Sequence, residues 1–145
     1  MSLKSLSLLG AASFGNASLK AAVAEQPHVI TSITDFAAKG PSLEVASAYV
    51  QTVKCLVVGS PACRAACGPR GVVPLLLTLL RMHRGAEGFL KKAVTTLCAV
   101  CMNDGGNVGL LGAGLGEGEM GGWREGADED TGRKVDFLEA LVGKP

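Results

Sequence analysis

Apolar positions recur along this chain at helical spacing, and the pattern itself recurs. Three segments, "SLSLLGAASFGN", "YVQTVKCLVVGS" and "AVTTLCAVCMND", fall into register when offset by 44 residues. Leu6 then lies on Val50 and Val94, Leu9 on Val53 and Leu97, and Ala12 on Leu56 and Val100. Apolar residues three and four apart make the buried stripe of an amphipathic helix. The register therefore predicts three equivalent helices with equivalent buried faces. Gly15, Gly59 and Asn103 close them, and these residue types tolerate the left-handed backbone at a helix C-terminus.

Each predicted helix is followed by a short helical turn: "NASLKAAVAEQ", "PACRAACGPRG" and "NVGLLGAGLG". Apolar runs come after the first two turns, "HVITSITDFAAKG" and "GVVPLLLTLLRMHRG". Pro74 stands near the start of the second run, where a missing N–H is harmless. A fixed period of this length marks a repeat architecture. The order of two short helices, a longer third helix and a Gly-punctuated turn resembles the armadillo repeat, with Gly68 to Leu111 as the clearest copy. HEAT repeats share the period.

That resemblance implies an all-α, right-handed α-solenoid of armadillo-type repeats, two fuller ones with partial ones at both ends. Residues 1–113 would form the repeats and 135–145 a C-terminal helix, the second helix of a further repeat. Solenoid repeats bury their faces on one another. The chain is thus expected to begin and end inside repeats, and either to self-associate through apolar end faces around Leu6, Leu9, Phe137, Leu138 and Leu141 or to be only marginally stable.

Composition agrees with close-packed helices. Hydrophobic residues make up 48% but aromatics only 4%, so the core is built from Leu, Val, Ala and Cys. Between Gly105 and Gly126 stand ten glycines, half the chain's total, followed by the acidic "REGADEDTGR". Such a stretch buries too little apolar area to offset its ordering entropy. Residues 114–134 are therefore predicted as a flexible Gly-rich and acidic insertion carrying the only tryptophan, Trp123.

The net charge of +1 hides an asymmetry: residues 1–116 hold ten Lys/Arg against five Asp/Glu, and the remainder four against eight. No global field points to nucleic acid or to a membrane surface, and no apolar run is long enough to span a bilayer. Five cysteines, an odd number in apolar surroundings, suggest free thiols and a reducing, cytoplasmic setting. The N-terminal "MSLKSLSLLGAASFGNASLKAAVA", with two Lys, five Ser and no acidic residue, has the composition of an organelle transit segment as the alternative.

Candidate chemistry is sparse. Cys98 and Cys101 form a C-x-x-C, a spacing used for zinc and for disulfide exchange, and Cys63 and Cys67 could complete a ligand set. In the repeat register Cys98 and Cys101 flank the buried position of Val100, and Cys63 and Cys67 fall on Leu19 and Val23. The pair also sits at a helix end, whereas a redox pair belongs at a helix start, where the dipole lowers the thiol pKa. A packing role is expected, with a small zinc- or thiol-dependent protein as the alternative. "GAGLGEG" lacks the preceding strand of a dinucleotide loop. His28 and His83 stand alone. No catalytic set and no cofactor is expected.

In the armadillo family the third helices line a groove that holds extended peptides, with a ladder of Trp and Asn in importin-α relatives. The Trp positions of that ladder fall here on Ser7, Gln51 and Thr95, and the Asn positions on Ala11, Cys55 and Ala99, so the ladder residues are replaced throughout. The face instead offers Ser47, Gln51, Lys54, Lys91 and Thr95. The resemblance thus implies a non-enzymatic protein–protein interaction module whose partner is an extended acidic or polar segment.

Overall fold

The computed structural model describes residues 1–143, all-helical within that span. Ten α-helices follow one another: α1 (Leu3–Ser13), α2 (Ala17–Glu25), α3 (His28–Lys39), α4 (Leu43–Val57), α5 (Pro61–Cys67), α6 (Val72–His83), α7 (Phe89–Cys101), α8 (Gly105–Gly114), α9 (Glu119–Arg124) and α10 (Glu129–Val142). A single 3-10 turn, Gly68–Arg70, joins α5 to α6. Among the described residues no single helix is long and apolar enough to cross a membrane.

One turn is built three times. Gly15, Gly59 and Asn103 take positive φ (65°, 74° and 53°), ending α1, α4 and α7. The next residue caps the following helix each time. Asn16 accepts from Leu19 N, Ser60 from Cys63 N and Asp104 from Asn107 N, at 3.0, 3.2 and 2.9 Å. Such side chains satisfy backbone N–H groups that a helix start leaves without partners. The caps stand 44 residues apart, like the apolar stripe.

Packing follows the same offset. α1 lies on α4, α4 on α7 and α7 on α10, while α2 packs on α5 and α3 on α6. Leu6, Val50 and Val94 are all fully buried, and Leu138 continues the series. Side chains fasten neighbours across it: the Thr52 hydroxyl donates to Leu6 O at 3.0 Å, and the Thr96 hydroxyl to Val50 O at 3.2 Å. On the second row Cys63 Sγ donates to Lys20 O and Asn107 Nδ2 to Arg64 O. Such a bond contributes about 1 kcal/mol net; burial of the aliphatic stripe contributes more, about 1.5–3 kcal/mol per large side chain.

The C-terminal part differs from the sequence expectation. Segment 114–134 holds α9 and the start of α10. Trp123 is fully buried in the shared core. Two features that composition cannot read account for this. Gly114 lets α8 approach α6, since a Cβ there would stand 2.7 Å from Leu77 Cδ1. The charges are paired: Arg81 grips Glu119 through Nε and a terminal nitrogen (2.6 and 2.7 Å) and reaches Gly114 O, and Arg124 contacts Asp136 and Glu139.

α10 packs on α7 as α7 does on α4, whereas 135–145 was expected as the second helix of a further repeat. Residues 144 and 145 of that segment lie outside the described residues. The expected end faces differ too. Leu6 and Leu138 are buried, Leu9 and Leu141 half-buried and Phe137 partly exposed, while Ala12, unlike its counterparts Leu56 and Val100, is exposed.

Candidate binding face on α1, α4 and α7

The residues singled out from sequence lie on α4 and α7, and the two helices treat them differently. On α4, Ser47 and Lys54 are half-buried and Gln51 is exposed. Gln51 Nε2 donates to Cys55 Sγ one turn on, at 3.7 Å. Among the described residues no carboxylate lies within ion-pair distance of Lys54.

On α7 the residues are engaged within the chain. Lys91 pairs with Asp128 at 3.3 Å and approaches Asp130 at 3.9 Å. The Thr95 hydroxyl accepts from Lys134 Nζ at 2.9 Å, and Lys134 also pairs with Asp130 at 3.0 Å. Asp128 caps α10, and the Thr131 N–H holds its carboxyl down at about 2, with Lys91 adding to the effect. The open part of the face is therefore the α4 side.

Beside it lies a pocket the sequence reading did not anticipate. Ser7, Gly10 and Ala11 of α1 and Phe14 just after it face Ala48, Gln51, Thr52 and Cys55 of α4 around a cavity of about 390 Å³. The Thr52–Leu6 hydrogen bond draws the two helices together, and small side chains then leave the gap between them. Register explains why it opens here: position 10 is glycine, whereas its counterparts 54 and 98 are Lys54 and Cys98. A periodicity search weighs the side chains that are present, so it passes over one that is missing.

The cysteines do not gather. Cys63 and Cys67 sit on α5, Cys98 and Cys101 on α7, and among the described residues no three His, Cys, Asp or Glu side chains come together as metal ligands. Cys63 Sγ donates to Lys20 O and Cys98 Sγ to Lys134 O, so these thiols serve contacts between helices. Burial pushes Cys67 and Cys101 up to about 12 and Cys98 up to about 11. Metal binding and thiol exchange both use the thiolate, which such sites disfavour.

The remaining polar candidates are local. His83 Nε2 lies 2.8 Å from Pro41 O, and its ring meets Phe89 edge-on. His28 is exposed at the start of α3. Within "GAGLGEG" the Gly116 N–H donates to Glu119 Oε1, so that backbone serves the chain's own carboxylate. Comparison with known proteins gives no match: no family model fits this chain, and no curated protein and no solved structure is significantly similar to it.

Proposed function

We propose that the chain is a protein-interaction module and not an enzyme: a right-handed α-solenoid of armadillo type that presents the α1–α4–α7 face to an extended, acidic or polar partner segment. The observation that carries this reading is the 44-residue recurrence of cross-helix fastening, Thr52 to Leu6 and Thr96 to Val50. Helices fastened at equal intervals hold a row of outward side chains at helix-packing distance, about 8–10 Å. Gln51, Ser47 and Lys54 belong to that row and keep polar atoms available for a main chain or a carboxylate. Five thiols without a disulfide suit a reducing compartment such as the cytoplasm.

A photo-crosslinking amino acid at Gln51, compared with one at the exposed Thr78 of α6, tests the reading. The expected result is a defined adduct from position 51 that Lys54→Glu removes, with little from position 78. Adducts that form equally at both positions, or only on α6, would place the interaction elsewhere.

A further inference from the structure

The α1–α4 pocket admits a sharper statement about the partner. It rests on the interaction reading above, and deepens it. We propose that this pocket anchors one aliphatic side chain of leucine or methionine size, carried by an extended partner segment with Asp or Glu close on either side.

Shape and chemistry of the walls argue for the anchor. About 390 Å³ lies at the small end of the range for ligand sites, roughly 300–1,000 Å³, and holds one branched side chain together with part of the backbone that carries it. Ala11, Ala48, Phe14 and Cys55 supply an apolar lining, and no charged residue lines the pocket. The Thr52 hydroxyl is spent on Leu6 O, and Cys55 Sγ accepts from Gln51. Burying a charge there would leave it without a partner, at heavy cost. At the edge Phe14 is 76% exposed, an aromatic surface that an incoming side chain would cover. The Ser7 hydroxyl and the Gln51 amide stand at the same rim, placed for backbone N–H and C=O groups of an extended segment.

Charge argues for the flanks. Lys4 precedes Ser7 by three residues and Lys54 follows Gln51 by three, spacings that make helix-surface neighbours. Among the described residues neither lysine has a carboxylate within ion-pair distance. Further along the face Lys91 and Lys134 are neutralised by Asp128 and Asp130. Free positive charge thus stands beside the pocket, with a further exposed lysine, Lys92, on α7, and it favours acidic neighbours of the anchor and speeds their encounter. Because the equivalent position carries Lys54 in α4 and Cys98 in α7, the face has one anchor and not a row of them.

The test is selection of linear peptides from a combinatorial library on the intact chain. Binding of the recovered peptides is then measured to wild type, Ala11→Phe, Lys54→Glu and Gln51→Ala, with far-ultraviolet circular dichroism to confirm the helices. Ala11 is exposed on α1, so phenylalanine there fills the pocket without entering the core. Expected are peptides sharing one Leu, Met or Ile with acidic neighbours, weakened about tenfold or more by Ala11→Phe, and by Lys54→Glu in a salt-dependent way. Peptides indifferent to Ala11→Phe but sensitive to Lys54→Glu or Gln51→Ala would overturn the anchor while leaving the face reading in place. Peptides indifferent to all three, or no binding peptide at all, would overturn both. Basic peptides, or concentration-dependent sedimentation that Ala11→Phe abolishes, would show another occupant, in the second case another copy of the chain, and would also overturn the anchor.

Discussion

Gly10 and Thr52 fix how closely α1 lies on α4: a Cβ on Gly10 would stand 2.8 Å from the Thr52 hydroxyl oxygen, the same oxygen whose proton goes to Leu6 O. Gly10→Ala must push the hydroxyl aside or part the helices. The expected cost is roughly 1–3 kcal/mol, the scale of overpacking, read as a lower urea midpoint. Gly109→Ala is the control, since nothing lies within 4 Å of a Cβ there and its φ is negative. It should stabilise by about 0.4–1 kcal/mol. Equal effects of the two substitutions would refute close approach as the reason for Gly10.

Acid should loosen the connection between α8 and α9 through Glu119. The Arg81 guanidinium, and after it the Gly116 N–H, hold its carboxyl below the ordinary range against the opposing effect of burial. A carboxyl depressed by folding contributes stability above its unfolded pKa, about 4.3, and that contribution is lost as pH falls through the folded value. Arg81 is nearly half exposed, so solvent screening limits the gain to about 1 kcal/mol or less. Urea midpoints near neutral pH and near pH 3 should differ less in Glu119→Gln than in wild type. Identical pH slopes would show that the pair contributes nothing.

Thiol chemistry separates packing cysteines from reactive ones. With Cys98 at about 11, only about 0.1% is thiolate at pH 8, although the residue is half-exposed. Cys67, Cys98 and Cys101 should react slowly with an aromatic disulfide reagent in the native protein and promptly in denaturant. Cys101→Ala should cost roughly 1 kcal/mol, the scale of deleting a small buried group. Rapid labelling of Cys98 in the native state would argue for an activated thiol.

Trp123 reports on the C-terminal group. Its ring is fully buried and its Nε1–H has no partner among the described residues. Fluorescence should be blue-shifted and resistant to acrylamide. Trp123→Ala should cost about 3–5 kcal/mol. Trp123→Phe should cost less, because it keeps much of the ring and removes an N–H buried without a hydrogen bond. Emission of a solvated indole would place α9 off the core.

The sequence was legible where spacing carried the information. Val50 and Val94 fall under Leu6, and Gly15, Gly59 and Asn103 adopt the left-handed turn their residue types suggested. Leu138 stands a further 44 residues on and is equally buried, yet the glycines and acids before it hid the first turns of its helix, which was expected only from residue 135 and begins at Glu129. Glycine reads as freedom in composition, whereas Gly114 serves contact with Leu77. The acids read as a repelling tail, whereas Arg81, Lys91 and Arg124 pair with them. Starting that helix at 135 left Asp128, Asp130 and Lys134 in the insertion, and so concealed what engages Lys91 and Thr95. The positions of Ser47, Gln51 and Lys54 along α4 follow from the register of that helix alone.

The 44-residue fastening has a consequence for how the molecule opens. Among the described residues no side-chain hydrogen bond joins positions more than 46 residues apart, so each group is held by its neighbours along the chain. In this row α4 and α7 have a partner helix on both sides, whereas α1 has only α4 and α10 only α7, beside contacts to α2 and to α8 and α9 respectively. Local opening follows contact density, and in stacked groups it propagates inward from the margins. Native-state hydrogen exchange should be slowest in α4 and α7 and faster in α1 and α10. Uniform protection from α1 to α10 would mean that the chain opens as one cooperative block.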